Sequence, residues 1–323
     1  MVLKNLPVAV LGCGHWGKNL VRKFHELGVL TAISDPNAEV CRQLCDAYGV
    51  EARAIDGILA DDSIKAVAIA APADLHHELV IRSFAAGKHV FVEKPIALNL
   101  EDAEEMIAAG KQAQKVLMIG HLLQYHPAFL KLKSLVREGE LGKLRYIYSR
   151  RLSLGKLRME ENVLWSFAPH DISMILALAG QEPDTVQGSA GNFLQDHISD
   201  FASIHMGFAN GIKAHVNVSW LNPFKEQRLV VVGDKAMAEF DDCVPWDEKL
   251  KLYCHRAEIV DGVPMVEKAE AECVEIDEFE PLLNECRYFL EFAANNQTPF
   301  TDGTEAMAVL KVLQAGDAAS QGV

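Results

Sequence analysis

No apolar stretch in this chain reaches the roughly 18–20 residues that a membrane span needs, and no Pro/Gly/Ser-rich or low-complexity tract interrupts it. Basic charge is scarce: 31 Lys and Arg stand against 45 Asp and Glu, a formal net charge of −14. That balance argues against a nucleic-acid-binding surface. Cysteine pairs are missing too. The seven cysteines form no C-x-x-C, and Cys41 and Cys45, on one predicted helix face, have no second ligand cluster beside them. An odd, scattered count fits a reducing compartment, so a cytoplasmic protein is expected. The opening MVLKNLPVAVLGCG offers an apolar run too short for a signal peptide. His76 and His77 are adjacent and point different ways on a helix, and His121 and His126 lack partners at metal-ligand spacing, so no metal is expected. What remains is an ordinary globular composition, half apolar and 24% charged, in 323 residues, which is enough for two domains.

The first third alternates short β-branched runs with helical stretches. PVAVLG (7–12), VLTAISD (29–35), AVAIAAP (66–72), HVFVEKP (89–95) and KVLMIG (115–120) read as strands, with helices between them. That rhythm is the signature of a parallel sheet with right-handed crossovers. After Gly120 the chain changes to long alternating strands joined by turns, and it closes on helical stretches near 281–296 and 303–319. The expected class is α/β: an N-terminal Rossmann domain over 1–120, and a C-terminal α/β domain over 121–323 with a large, mainly antiparallel open sheet.

FASIHMGFA and IKAHVNVSWL flank Asn210-Gly211, a strong hairpin signal. A two-residue turn pairs Ala209 with Ile212, so Ile212, Ala214, Val216, Val218 and Trp220 share a face with Gly207, His205, Ser203 and Phe201. In that register neither face is purely polar. Either both are covered, one by helices and one by another subunit, or one is a semi-polar solvated face.

The string GCGHWG follows the first predicted strand and opens a helix. Gly12 suits the tight turn, Gly14 a close approach of pyrophosphate, and Gly17 close packing of helix on strand. The free N–H groups and dipole of the helix start attract phosphates. Asp35 stands at the end of the second strand, where a carboxylate accepts hydrogen bonds from a ribose 2′-hydroxyl and repels a 2′-phosphate. The expected cofactor is NAD, with NADP disfavoured.

Ligands of open parallel sheets collect at the carboxyl ends of the strands, where FVEKP places Glu93 and Lys94. Lys94 reads either as a group that orients a substrate hydroxyl or as a solvated strand-end lysine. In WSFAPHDISMILALAG, Pro169 suits a first helical position and Gly180 a stop. His170 would then lie in the first turn, where the positive helix end favours the neutral imidazole that a base must be; the alternative is a packed or capping histidine. Arg150, Arg151, Lys156 and Arg158 make a basic segment that either grips a phosphate or carboxylate or forms a solvated loop.

GCGHWG, Asp35, AAPADLHHELV, EKP (93–95), GH (120–121) and the helix of His170 together resemble the Gfo/Idh/MocA oxidoreductases across essentially the whole chain. The resemblance implies hydride transfer between NAD(P) and a sugar or polyol carbon, and an open sheet that packs against a second subunit in a homodimer or homotetramer. It implies Lys94 as the active-site lysine, a cis bond before Pro95, and His170 as general base. It also implies cofactor contacts from Gly12, Gly14, His15, Trp16, Gly17, Asp35, Ala71, Pro72, His76, Glu93 and Lys94. Many members carry Asp four residues before the histidine, and this chain has Ser166. LWSFAPHDISMI looks more like the nucleotide-sugar branch, the UDP-N-acetylglucosamine or UDP-N-acetylglucosaminuronate 3-dehydrogenases of surface-polysaccharide and lipid A pathways. There Lys94, Arg150, Arg151, Lys156, Arg158 and His170 would meet the substrate. A free sugar, polyol or amino sugar is the alternative substrate. A dinucleotide-binding sensor without catalysis is the alternative class, which retention of Lys94 and His170 opposes.

Overall fold

A computed structural model describes residues 6–155 and 157–320. The chain forms two compact units, one running to Tyr125 and taking in Glu280–Leu310, the other built from His126–Phe279 and the chain from Lys311 on.

In the first unit, β1 (Val8–Leu11), β2 (Leu30–Ser34), β3 (Glu51–Ala52), β4 (Ala66–Ile69), β5 (His89–Val92) and β6 (Leu117–Ile119) form a six-stranded sheet in the order β3-β2-β1-β4-β5-β6. Every pair is parallel. Order reverses at β1 and β4, so a crevice opens at the carboxyl ends of these two strands. The crossovers run through α1 (Gly17–Glu26), α2 (Ala38–Tyr48), α3 (Ile55–Leu59), α4 (His76–Ala85) and α5 (Leu100–Ala113). α4 and α5 pack on each other, as do α1 and α2.

Phe91 of β5 and Met118 of β6 belong to the same buried cluster as Val8 and Val10 of β1. The sequence reading leaves them without a cover on the face of α1 and α2. The cover is a helix from much later in the chain: Leu282, Cys286, Phe289 and Leu290 of 281–295 join that cluster, with the Phe289 ring edge-on to Phe24 at 6.3 Å and to Phe91 at 5.8 Å. This stretch, expected with the C-terminal domain, is therefore part of the first unit. A parallel sheet needs apolar cover on both faces, and local crossovers supply too little of it here.

The second unit contains α6 (Pro127–Glu138), β7 (Leu144–Leu154), α7 (Val163–Ala179), β8 (Thr185–Gly191), β9 (Phe201–Gly207), β10 (Lys213–Ser219), β11 (Leu221–Gly233), β12 (Met237–Asp241), β13 (Leu250–Tyr253), the hairpin β14 (Arg256–Val260) and β15 (Val263–Glu267), and β16 (Ala271–Cys273). After it come α8 (Pro281–Asn295), the helix just assigned to the first unit, and α9 (Gly303–Ser320), whose second half returns to the second unit. The eight-stranded sheet of the second unit runs β16-β13-β12-β11-β7-β10-β9-β8, with β14 and β15 paired apart from it, and is antiparallel except that β10 pairs with β7 in parallel. The mainly antiparallel sheet is as expected.

The hairpin register is not. Phe208 N–H donates to Ile212 O at 3.1 Å, Gly211 N–H to Phe208 O at 2.9 Å, and Gly211 has φ +88°. The loop is thus three residues, Ala209–Asn210–Gly211, with glycine in the left-handed position. Ala214 pairs with Met206, Val216 with Ile204 and Val218 with Ala202. This one-residue slip sorts the side chains completely. One face is apolar and buried under α7; the other carries His205, Ser203, Lys213, His215 and Asn217. No helix of the described residues is long and apolar enough to cross a membrane.

Candidate active site

The three glycines of the loop have different surroundings. Gly12 has φ +85°, and a Cβ there would lie 2.6 Å from Ala71 N; a Cβ on Gly17 would lie 2.0 Å from Gly12 O. Both positions are closed by backbone. A Cβ on Gly14 would meet nothing within 4 Å, so this is where a ligand can approach the main chain. His15 and Trp16 are exposed beside it, and α1 starts with no side-chain cap, which suits an anion at its N-terminus. Asp35 Oδ2 accepts from Cys13 N–H at 2.6 Å and Oδ1 from Asn37 N–H at 2.8 Å. The carboxylate is fixed at the end of β2 with lone pairs left for a ribose diol. Burial, then the Asp35 charge, pushes the Cys13 thiol up to about 12, so it is inert. These residues fit a dinucleotide. Asp35→Ala is expected to narrow the preference for NAD over NADP by removing both ribose contact and repulsion; an unchanged ratio of kcat/KM for the two cofactors would contradict the assignment.

Ala71 and Pro72 follow β4 beside this loop. The ring of His76 is buried, with Nδ1 2.8 Å from Pro95 O and Nε2 3.0 Å from Ala71 O. Burial holds its pKa below the ordinary value, against the pull of both carbonyls. The structure therefore has His76 tie the loop after β4 to the loop after β5, rather than present a ring nitrogen to a ligand. The Lys94–Pro95 bond is cis, and Lys94 is half-buried at the end of β5.

Glu93 accepts from Trp16 Nε1 at 2.5 Å, and its carboxyl fills the space that a side chain on Gly120 would need. Burial raises its pKa from 4.5 to about 7, opposed by the Trp16 bond and the charges of Lys94 and His121. Glu285 of α8 is 1% exposed, and neither carboxyl oxygen has a hydrogen-bond partner among the described residues. Burial, then the charge of Glu93, raises it well above the carboxylate range. Sequence reasoning missed Glu285, although the spacing 282/285/286/289 sets it on the apolar stripe of α8. The folded state holds a Glu93 proton that the unfolded chain releases near pH 4.5. Its contribution to stability is therefore complete below pH 4.5 and is lost as pH rises to about 7. Glu93→Gln, which cannot ionise, is expected to gain on wild type across that window by on the order of 3 kcal/mol. Parallel melting-temperature curves for the two proteins from pH 4.5 to 8 would contradict this.

In the second unit α7 begins six residues before Pro169, because Asn162 caps it by accepting from Trp165 N–H at 3.1 Å. Pro169 lies inside the helix and Gly180 ends it with φ +71°. His170, half-buried, is thus in the third turn, and the helix-end argument for its neutral form falls. The basic segment does not act as one grip. Successive side chains of a strand alternate, so Arg150 lies over the Tyr148 ring on the open face of the sheet, with its guanidinium 5.7 Å from the ring centroid. Arg151 is buried on the opposite face, with Nε 2.6 Å from Asp171 Oδ2. Arg158 is half-exposed and paired with Glu161 at 3.0 Å. Lys156 lies outside the described residues. Ser166 is buried. Among the described residues no group of three or more His, Cys, Asp or Glu side chains could hold a metal ion.

A nucleotide crevice at the switch point of a parallel sheet, EKP at the end of β5, and a histidine helix laid on an open sheet define a class of pyridine-nucleotide oxidoreductase. The family model for the NAD-binding Rossmann fold of the Gfo/Idh/MocA oxidoreductases matches residues 6–121, and that for a Gfo/Idh/MocA C-terminal domain matches 129–239. The chain belongs to this family and is an NAD-dependent oxidoreductase. It is 28% identical to UDP-N-acetylglucosamine 3-dehydrogenase of Acidithiobacillus ferrooxidans over 95% of this chain and 94% of that one. A solved structure of that enzyme, GnnA, superposes with TM-score 0.86 over 98% of this chain and 99% of the other, at 28% identity. The chain is also 30% identical to myo-inositol 2-dehydrogenase of Thermotoga maritima over 71% of its length and 73% of the relative's.

Proposed function

We propose that this protein oxidises the 3-hydroxyl of a UDP-linked N-acetyl sugar, UDP-N-acetylglucosamine or its uronate. The observation that carries the reading is 28% identity over 95% of the chain to a UDP-N-acetylglucosamine 3-dehydrogenase, together with a TM-score of 0.86 to a solved structure of that enzyme; an inositol dehydrogenase that also matches over 94% of the chain does so at 24%. Bound NAD supplies the hydride acceptor. The glycine loop and Asp35 hold its pyrophosphate and ribose. Lys94 orients the reacting hydroxyl and stabilises the developing alkoxide by its charge. His170 takes the hydroxyl proton as general base. Of the described residues of the basic segment, we assign Arg158 to the pyrophosphate or uronate.

The 30% identity to an inositol dehydrogenase favours, as second reading, a free polyol or sugar. A panel of UDP-sugars and free sugars with NAD separates the two. Binding energy from a remote nucleotide can be spent on the reacting carbon, so free N-acetylglucosamine should lose kcat as well as affinity. Turnover of a free polyol with none of any UDP-sugar would promote the second reading.

We also assign a cytoplasmic location, supported by seven free thiols, and a homo-oligomer through the open sheet face. Tyr146, Tyr148, His215, Val230 and Val232 lie together there by register, with Tyr146 Oη 2.5 Å from His215 Nδ1. Hairpin β14–β15 leaves Ile259 and Val266 exposed on one side. Sedimentation at micromolar concentration reads the state directly, and a monomer would refute it.

A further inference from the structure

His170 stands between two residues that treat the helix in opposite ways. Pro169, before it, has no N–H to give to the carbonyl of Trp165, so this turn is one helical bond short. Asp171, after it, is 1% exposed and fastened to the sheet. Its Oδ2 accepts from Arg151 Nε at 2.6 Å, and its Oδ1 from Arg151 Nη2 at 3.4 Å and from the Ser149 hydroxyl. Ser149 and Arg151 are both buried on β7, two residues apart on the face under α7. The charges are thus paired and bridged by hydrogen bonds in the middle of a core.

Such an arrangement is a poor source of stability, because a well-packed apolar pair of similar volume is often as stable. Its distinctive property is geometric. A planar guanidinium and a carboxylate hold a defined relative position, and here they fix α7 against β7 one residue from His170, where the helix itself is weakened. We propose that Arg151 and Asp171, aided by Ser149, are positioning residues that set the imidazole of His170, and that Arg151 has no contact with substrate. This rests on His170 being the base. A base must lie within hydrogen-bond reach of its proton, and a misplacement of about 1 Å costs on the order of 10²-fold in rate.

The test is the double variant Arg151→Met/Asp171→Leu, which leaves no unpaired buried charge, beside His170→Ala. With the nucleotide sugar, kcat should fall about 30–100-fold with KM and NAD affinity within about twofold of wild type. An arginine that gripped pyrophosphate or uronate would instead raise KM for that substrate and spare a neutral sugar. A second readout needs neither substrate nor cofactor. In protein with labelled histidine rings, the His170 resonance, identified by its loss in His170→Ala, should be single in wild type and broadened or split in the double variant. If the double variant does not fold, Arg151→Lys replaces it, keeping a charge paired with Asp171 while losing the planar two-point contact; about tenfold loss in kcat is then expected. A folded variant with wild-type kcat and an unchanged His170 signal, or one with only KM raised, overturns the positioning role. Activity retained in His170→Ala would instead overturn the reading on which it rests.

Discussion

Replacing His170 with alanine is expected to lower kcat by about 10²–10⁴-fold, the usual contribution of one general base, while NAD affinity stays nearly intact. The second half follows because His170 is assigned to the proton and the cofactor contacts are assigned to other residues. Wild-type kcat/KM should also fall at low pH, where an imidazole gains a proton and can no longer accept one, and the alanine variant should lack that limb. Near-normal turnover in the variant would mean that another group takes the proton.

The second large effect separates two glycines of one motif. At Gly17 a β-carbon would sit 2.0 Å from the Gly12 carbonyl oxygen, with the Ala70 β-carbon at 3.3 Å and no flexible side chain to move. Gly17→Ala should therefore cost about 3 kcal/mol or more of stability, at the upper end for an overpacked core. At Gly14 a β-carbon meets nothing within 4 Å, so Gly14→Ala should melt within a few degrees of wild type. It should nevertheless weaken NAD binding by about tenfold or more, because the new methyl occupies the approach of the pyrophosphate to the main chain. Thermal melting and NADH titration of both variants check this. Equal loss of affinity with no difference in stability would contradict the assigned roles.

How much of this was legible in the sequence depends on how local the cause is. The parallel strands, the glycine loop and Asp35 were readable because each rests on a short run and a fixed spacing. The hairpin register differs by one residue, since Asn210-Gly211 serves a two-residue or a three-residue loop equally; a two-residue type I′ turn would need positive φ at Asn210 as well as Gly211, and only Gly211 has it here. The start of α7 was misplaced because Pro169 matches a first-turn proline by composition, while the effective cap is Asn162. Arg150 and Arg151, read as one charge cluster, diverge because a strand alternates its faces. Helix α8 falls in the first unit although it follows the second in the chain, since its spacing reports an apolar stripe and says nothing about which sheet receives it. His76 and Asp171 show the same limit: their types were visible, but their partners, Pro95 and Arg151, are set by tertiary contacts.

The central claim is that hydride leaves C3 of a nucleotide-linked sugar, and it is tested most directly with UDP-N-acetylglucosamine deuterated at C3. The equilibrium toward a ketosugar is drawn forward with a carbonyl-trapping amine, and the reduced cofactor is analysed by mass. The account predicts NADH carrying one deuterium, formed only when NAD, sugar nucleotide and a functional His170 are present together, and a slower rate than with the protiated sugar if hydride transfer limits turnover. Unlabelled NADH, or turnover of a free polyol with no reaction of the UDP-sugar, would contradict it.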